Sequence, residues 1–371
     1  MIEIIGVGDI MPGGVLSGIE QGYCSDDVLE MLRGGDIRVG TLETAVGNVP
    51  TFSEEKMSRK KDVIYTLDND LHKLKQLNID VVSLANNHFF DLGDEGAFHA
   101  IEKLDELGIK HVGAGHKIDE ASSPVVLNVD GQSIAILAFC ESKEELIGWC
   151  PIAGKDKPGV NPLDEEYTIS EIAKYKQQYD YVVVLPHWGK EGQTMPTNHQ
   201  YRLAQKMWDA GADLILGSHT HCVQPAYRKK GKAVVFSMGN FFFPDRLIAP
   251  PRSTYYPEEP LDMDTLPITD RYPVVTEITL KKWQKKARYG ALVSCCIDGD
   301  KTIVKNHFVH LTGRNELQLW KDKYPFQGEI NVASMALRSS CFPQLYLVQE
   351  LKNNTKKIVK TILRSFNGNN K

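Results

Sequence analysis

Four apolar runs mark the first two thirds of the chain: IEIIGVG (2–8), DVVSLA (80–85), YVVVLP (181–186) and ADLILGS (212–218). Val, Ile and Leu without polar alternation, over segments this short, predict strands covered on both faces. Helical patterns stand between them. In EGAFHAIEKLDELGIKHVGAG (95–115), Phe98, Ile101, Leu104 and Leu107 recur on one face, and Gly108 is placed to end the helix. This alternation persists to about residue 243 and predicts a layered α/β fold whose loops gather along one sheet edge. The character then changes. Residues 244–273 are rich in proline and poor in periodic apolar positions, and read as a long surface loop. VVTEITLK, YGALVSCCI and TIVKNHFVHL follow as three strands expected to be antiparallel and to complete a second sheet. From about Asn315 the chain is mostly polar and helical. The expected division is a main domain, 1–312, and a C-terminal helical extension, 313–371.

The ends of the apolar runs carry the candidate chemistry. Asp9 follows the first run, Glu43 follows VGTL, Asn86, Asn87 and His88 follow DVVSLA, His187 follows YVVVLP, and His219 and His221 lie in GSHTH. Singly, each has an ordinary alternative. The acids could cap helices, Asn86 and Asn87 could form a left-handed turn, Asp91 could cap the next helix, and the histidines could bond to carbonyls or solvent. Together they supply anionic oxygens to offset the charge of divalent ions and neutral imidazoles to complete their shells. Gly217 is expected to let the backbone bend sharply before the two histidines. His88, one residue beyond Asn87, is placed for general acid work. In the Pro-rich segment, Arg246, Arg252 and Arg271, with Tyr255 and Tyr256, suit a lid that grips an anionic substrate, and Lys190 after His187 is a further candidate contact.

Composition narrows the possibilities. A chain of 371 residues, 42% hydrophobic, can bury a full core. A net charge of -5 and the lack of a basic stripe argue against nucleic acid as a partner. The first strand starts at Ile2 and no stretch of 18 apolar residues follows, so the expected location is the cytoplasm. Seven cysteines without a CxxC fit reduced thiols, with Cys295 and Cys296 on opposite faces of a strand. Near the C-terminus, Leu345, Val348, Leu351, Ile358, Ile362 and Phe366 share one face and Lys352, Lys356, Lys357, Lys360 and Arg364 the other. Such a helix is more often docked than lying on a membrane, so membrane contact is not expected. The expected partner is an anionic substrate, small or polymeric, and a homo-oligomer is left open.

Six segments resemble the CapA family of poly-gamma-glutamate and capsule biosynthesis proteins, within the calcineurin-like metallophosphoesterase superfamily. They are GVGDIMPGG (6–14), GTLETAVG (40–47), SLANNHFFDLGDEG (83–96), LPHWGKE (185–191), AGADLILGSHTHCVQP (210–225) and VVFSMGNFFF (234–243). The resemblance implies a four-layer αββα sandwich of two mixed sheets, with one or two divalent ions (Mn, Fe or Zn) at the strand ends. By position it implies Asp9, Glu43 and His221 around one ion, Glu43, Asn87, His187 and His219 around the other, and His88 as the acid of a hydrolytic reaction. The bond cut would be a phosphoester or a gamma-glutamyl-type amide. A metal-binding accessory protein of a polymer-synthesis complex, without turnover, is the alternative. Two positions depart from the superfamily pattern. Met11 stands where a histidine ligand is expected, which implies a weakly held first ion, and Glu43 stands where a bridging aspartate is expected.

Overall fold

The Ile2–Ile10 strand is buried from Ile4 onward, as an unbroken apolar run requires, and it organises an eight-stranded mixed sheet. On one side it pairs in parallel with Ile37–Leu42, which continues to Val81–Ser83 and Lys110–Val112. On the other side it pairs antiparallel with Tyr289–Asp298, followed by Lys301–Leu311 and Leu317–Leu319. Asn240–Phe242 adds in parallel at its C-terminal end. A second, six-stranded sheet runs Ala226–Lys229, Lys232–Val235, Leu214–Leu216, Tyr181–His187, Gln132–Cys140 and Val125–Val129, parallel in its centre and antiparallel at both edges. The computed structural model describes residues 1–47, 62–143, 148–272, 274–339 and 342–352.

Alternation along Gln132–Cys140 shows what each face meets. Ile134, Ile136, Ala138 and Cys140 join one core with Ile2, Ile4, Val39 and Val81 of the larger sheet. Ala135, Leu137 and Phe139 point the other way, into a core with Ile172, Leu203, Met207 and Trp208 from the helices Glu165–Lys176 and Asn198–Ala210. The Gly93–Glu106 helix joins the larger core through Ala97, Ala100 and Leu104. Its buried face is thus centred on small residues, which let a helix lie close to a sheet. Phe98, on the expected apolar face, is only partly buried and stacks on His116 at 3.5 Å. Gly108 ends the turn at φ +66°, where only glycine is at ease, and Ile109 N–H donates to the Leu104 carbonyl.

Three expectations require correction. Residues 244–273 do not form a structureless loop: Arg246–Ala249, Ser253–Thr254 and Ile268–Thr269 build a small four-stranded sheet with Thr279–Lys281. Proline at the ends of such short strands removes no ladder hydrogen bond that they need. Of the three later strands, the first therefore belongs to this small sheet, and the other two form a hairpin that extends the first sheet rather than completing a second. Third, the C-terminal helical residues 342–352 dock through Phe342 and Tyr346, leaving Leu345, Val348 and Leu351 exposed. The rest of the amphipathic stretch, from 353, lies outside the described residues. Cys295 is buried and Cys296 half-buried on the same strand, and the described cysteines are free thiols. No helix among the described residues is long and apolar enough to cross a membrane.

Candidate metal centre

The C-terminal ends of the two sheets meet at one place. Thr41 Oγ1 of the larger sheet donates to Ser218 Oγ at 3.1 Å, and the His219 N–H reaches the Asp9 carboxylate at 3.2 Å. Close backbone approach makes this possible. A Cβ on Gly8 would lie 1.7 Å from the Gly239 carbonyl oxygen, and one on Gly217 would lie 2.1 Å from that of Phe236. Gly217 therefore serves close packing, and it is not at positive φ. The unusual backbone falls on the histidines, with His219 at φ +89° and His221 at φ +53°. A non-glycine residue there stores on the order of 1–3 kcal/mol of strain, typical of a functional constraint that the surrounding packing holds in place.

All six candidate ligands come together and are buried. His187 Nε2 lies 2.9 Å from Asn87 Oδ1, 3.1 Å from His219 Nδ1 and 3.5 Å from Glu43 Oε1. His221 Nδ1 lies 3.6 Å from Asp9 Oδ2 and 3.7 Å from Glu43 Oε2. Potential donor atoms thus fall into two sets, Glu43 with His187 and His219, and Asp9 with Glu43 and His221, each within 4.8 Å of one another. Glu43 belongs to both. Neither of its buried oxygens has a hydrogen-bond partner.

Electrostatics make this arrangement costly without a cation. Burial pushes the Asp9 carboxyl up to about 7. Glu43 is raised well above the usual carboxylate range, first by burial and then by the charge of Asp9. His187 is held well below the usual imidazole range by burial and by His219, and burial takes His221 down to about 3. Neutral imidazoles are the ligand form of histidine, and two adjacent buried carboxylates, Glu43 without a hydrogen-bond partner and Asp9 held by the His219 N–H, call for positive charge. The residues present therefore fit divalent metal ions.

Neighbouring side chains orient the donors. Ser218 Oγ stands 2.9 Å from His187 Nδ1. Asn86, expected as part of a possible turn, is not at positive φ; its amide donates to the Leu42 carbonyl and its oxygen accepts the His88 N–H. Asp91 does not cap the following helix either. Its Oδ2 accepts from Ile64 N–H and stands 2.7 Å from His88 Nδ1, leaving Nε2 as the other proton-carrying atom of that ring. Sequence reasoning missed Asn240. Its Oδ1 lies 2.8 Å from His221 Nδ1, much as Asn87 lies against His187, and its amide donates to the Ala287 carbonyl. The signal was present in SMGNFFF, a segment singled out for resemblance and not for chemistry. Met11 packs with Ile64, Phe243 and Trp283 in an apolar cluster.

Of the four candidate substrate contacts, Arg246, Lys190 and Arg271 each stand beside a carboxylate. Arg246 is fully buried and paired with Asp62. Lys190 pairs with Glu350 at 2.6 Å, Arg271 is exposed beside Asp270, and the Arg252 carbonyl accepts the Val63 N–H. A pocket of ≈160 Å3 does open beside His221, walled by Glu191, Tyr272, Lys281, Trp283 and Lys286.

Residues 3–245 match the family of bacterial capsule synthesis proteins PGA_cap, and the chain belongs to that family. The PGA biosynthesis protein CapA of Bacillus subtilis (strain 168) is 32% identical over 243 residues, covering 64% of this chain and 62% of that one. The capsule biosynthesis protein CapA of Bacillus anthracis is 32% identical over 254 residues, covering 64% and 58%. The chain thus spans about three fifths of the length of these relatives. A hypothetical protein from Thermus thermophilus superposes with a TM-score of 0.48 at 15% identity, over 87% of this chain and 100% of that one. A superposition this loose adds nothing to the fold read from the strand pairings.

Proposed function

We propose that this chain is a divalent-metal-dependent hydrolase acting on a phosphoester or a gamma-glutamyl-type amide in capsule or poly-gamma-glutamate biosynthesis. The observation that carries the reading is Glu43, buried without a hydrogen-bond partner and shared between two sets of donor atoms. Packing of the two sheets through a common core, with helices against the far face of the smaller one, supports a four-layer αββα arrangement of the metallophosphoesterase type. The expected boundary at 312 falls before Leu317–Leu319, an edge strand of the larger sheet, so that domain would run at least to Leu319, with the Gln327–Leu337 helix after it.

Glu43, Asn87, His187 and His219 would hold one ion, and Asp9, Glu43 and His221 the other. When bound, the ions would polarise a phosphoryl or acyl oxygen and activate water. The chain's own residues do the rest. The Asp91 carboxylate fixes the His88 ring through Nδ1, so that Nε2 can give a proton to the leaving oxygen or nitrogen. His88 follows Asn87 directly in the chain and is buried, which supports a position near the ligands. The small sheet and Trp283 wall the approach to His221 and limit water there.

A second reading, a metal-binding accessory protein without turnover, is favoured by one observation. Met11 lies in an apolar cluster where the wider superfamily has a ligand. Steady-state turnover of the metal-loaded chain on bis-nitrophenyl phosphate and on gamma-glutamyl nitroanilide separates the two. Cleavage of either substrate that is lost in His187→Ala supports the hydrolase; cleavage of neither by fully loaded protein leaves the accessory role.

A further inference from the structure

Lys281 is 3% exposed, yet it lines the pocket beside His221. Its ammonium sits 4.5 Å from the Tyr272 ring centre and 5.0 Å from that of Trp283, and Trp283 in turn packs on His221 at 4.7 Å. Among the described residues, no carboxylate lies within ion-pair distance of it. Across the small sheet Lys281 faces Arg246, its register partner in the antiparallel pair. Like charges placed directly opposite each other destabilise a sheet, and burial sharpens the cost. Arg246 is neutralised by Asp62. Lys281 has only ring faces, which offset part of a desolvated ammonium's cost.

We propose that Lys281 forms an anion subsite in this pocket, and that the substrate carries a carboxylate or phosphate in addition to the group cleaved at the metal centre. The inference rests on the hydrolase reading for the word substrate, but the anion site itself does not require metal. Burial and Arg246 bring the Lys281 pKa down to about 8, so the ammonium persists at neutral pH. Glu191 and Asp270 also line the pocket, outside ion-pair distance, and they favour a small anion seated on Lys281 over a polyanion filling the whole cavity. Trp283 and Tyr272 would flank that anion with apolar surface, so the second charged group must project from a short, uncharged spacer.

The test is calorimetric titration of the full chain, stripped with chelator, with inorganic phosphate and with succinate, for the unaltered protein, Lys281→Met and Lys281→Arg. Methionine keeps the stem and removes the charge. Binding of at least one anion should weaken by about 10-fold or more in Lys281→Met and largely return in Lys281→Arg, since a hydrogen bond to a charged group contributes about 1.5–3 kcal/mol. The relative loss for phosphate and for succinate shows which anion the subsite prefers. Thermal unfolding of Lys281→Met at or above the original midpoint would show that the fold is retained. Equal anion affinity in Lys281→Met and the unaltered protein, or no binding of either anion to the unaltered protein, overturns the subsite. Because the protein is metal-free, that outcome is distinct from a failure of the hydrolase reading, which the turnover assay decides.

Discussion

The two halves of the metal centre share Glu43 and differ in what surrounds it. One half adds two imidazoles, His187 and His219, and the amide oxygen of Asn87, with atoms already 2.9 to 3.5 Å from His187 Nε2. The other adds one imidazole, His221, and the carboxylate of Asp9; His221 Nδ1 is 3.6 Å from Asp9 and 3.7 Å from Glu43, and Asn240 Oδ1 lies 2.8 Å from the same nitrogen. Nitrogen donors bind transition ions more tightly than a carboxylate alone, and preset geometry reduces the ordering that binding requires. The first half should therefore hold its ion tightly, and the second should exchange. Met11, in one apolar cluster with Phe243 and Trp283, offers the second half no nitrogen donor.

The strongest way to break this contrast is to remove an imidazole from the richer half. His187→Ala should lose the tight ion, with affinity falling more than about 100-fold, beyond the 10- to 100-fold typical of an outer-shell partner. Elemental analysis after desalting checks it, and a full ion retained in His187→Ala would remove the basis of the contrast. His88→Gln comes next. Ions and fold should persist, while turnover on an ester with a poor leaving group falls by about 10²- to 10⁴-fold and an activated nitrophenyl ester suffers far less. Equal losses on both esters would make His88 a structural residue. Asn240→Ala should weaken only the exchanging ion, by about 10- to 100-fold, in competition with a fluorescent chelator. Loss of the tight ion there would mean that the halves are not separable.

The smallest effect is a proton. Because burial raises Asp9 to about 7, the metal-free protein holds a proton there at pH 6 that a bound cation must displace. Proton release on metal addition, measured by calorimetry in buffers of different ionisation enthalpy, should fall as pH rises from 6 to 8.5. In the metal-free protein the same raised carboxyl favours folding below its unfolded pKa of 3.8 and loses that contribution as pH rises through about 7. His221, lowered to about 3, acts in the opposite direction between 3 and its usual 6.5. Release that stays flat across this range would show that Asp9 is already ionised.

The strand ends that carry the centre were legible because strands buried on both faces have an unmistakable apolar signature, and their termini name Asp9, His187 and His219 directly. Of the small sheet over the site only Thr279–Lys281 was, inside the expected strand VVTEITLK. Its other strands run only two to four residues, too short for any period to register, and prolines between them read as loop. Asn240 escaped for a different reason. It stood in SMGNFFF, a segment noted for resemblance, but only the parallel pairing of Asp9 with Asn240 brings it against the site. Lys281 was hidden among ordinary surface lysines in VVTEITLKK, since burial of a charge is a tertiary property that local pattern does not encode. For Arg246, residue type indicates what can grip an anion, whereas pairing with Asp62 decides whether the side chain is free to do so.

Metal content per chain after desalting, measured by inductively coupled plasma spectrometry before and after saturation with manganese, iron or zinc, tests the central claim most directly. The two-half centre predicts about one equivalent retained through desalting and close to two at saturation, with the retained equivalent absent from His187→Ala and present in Met11→Ala. No ion bound at saturation with any of the three metals would contradict the metal centre itself.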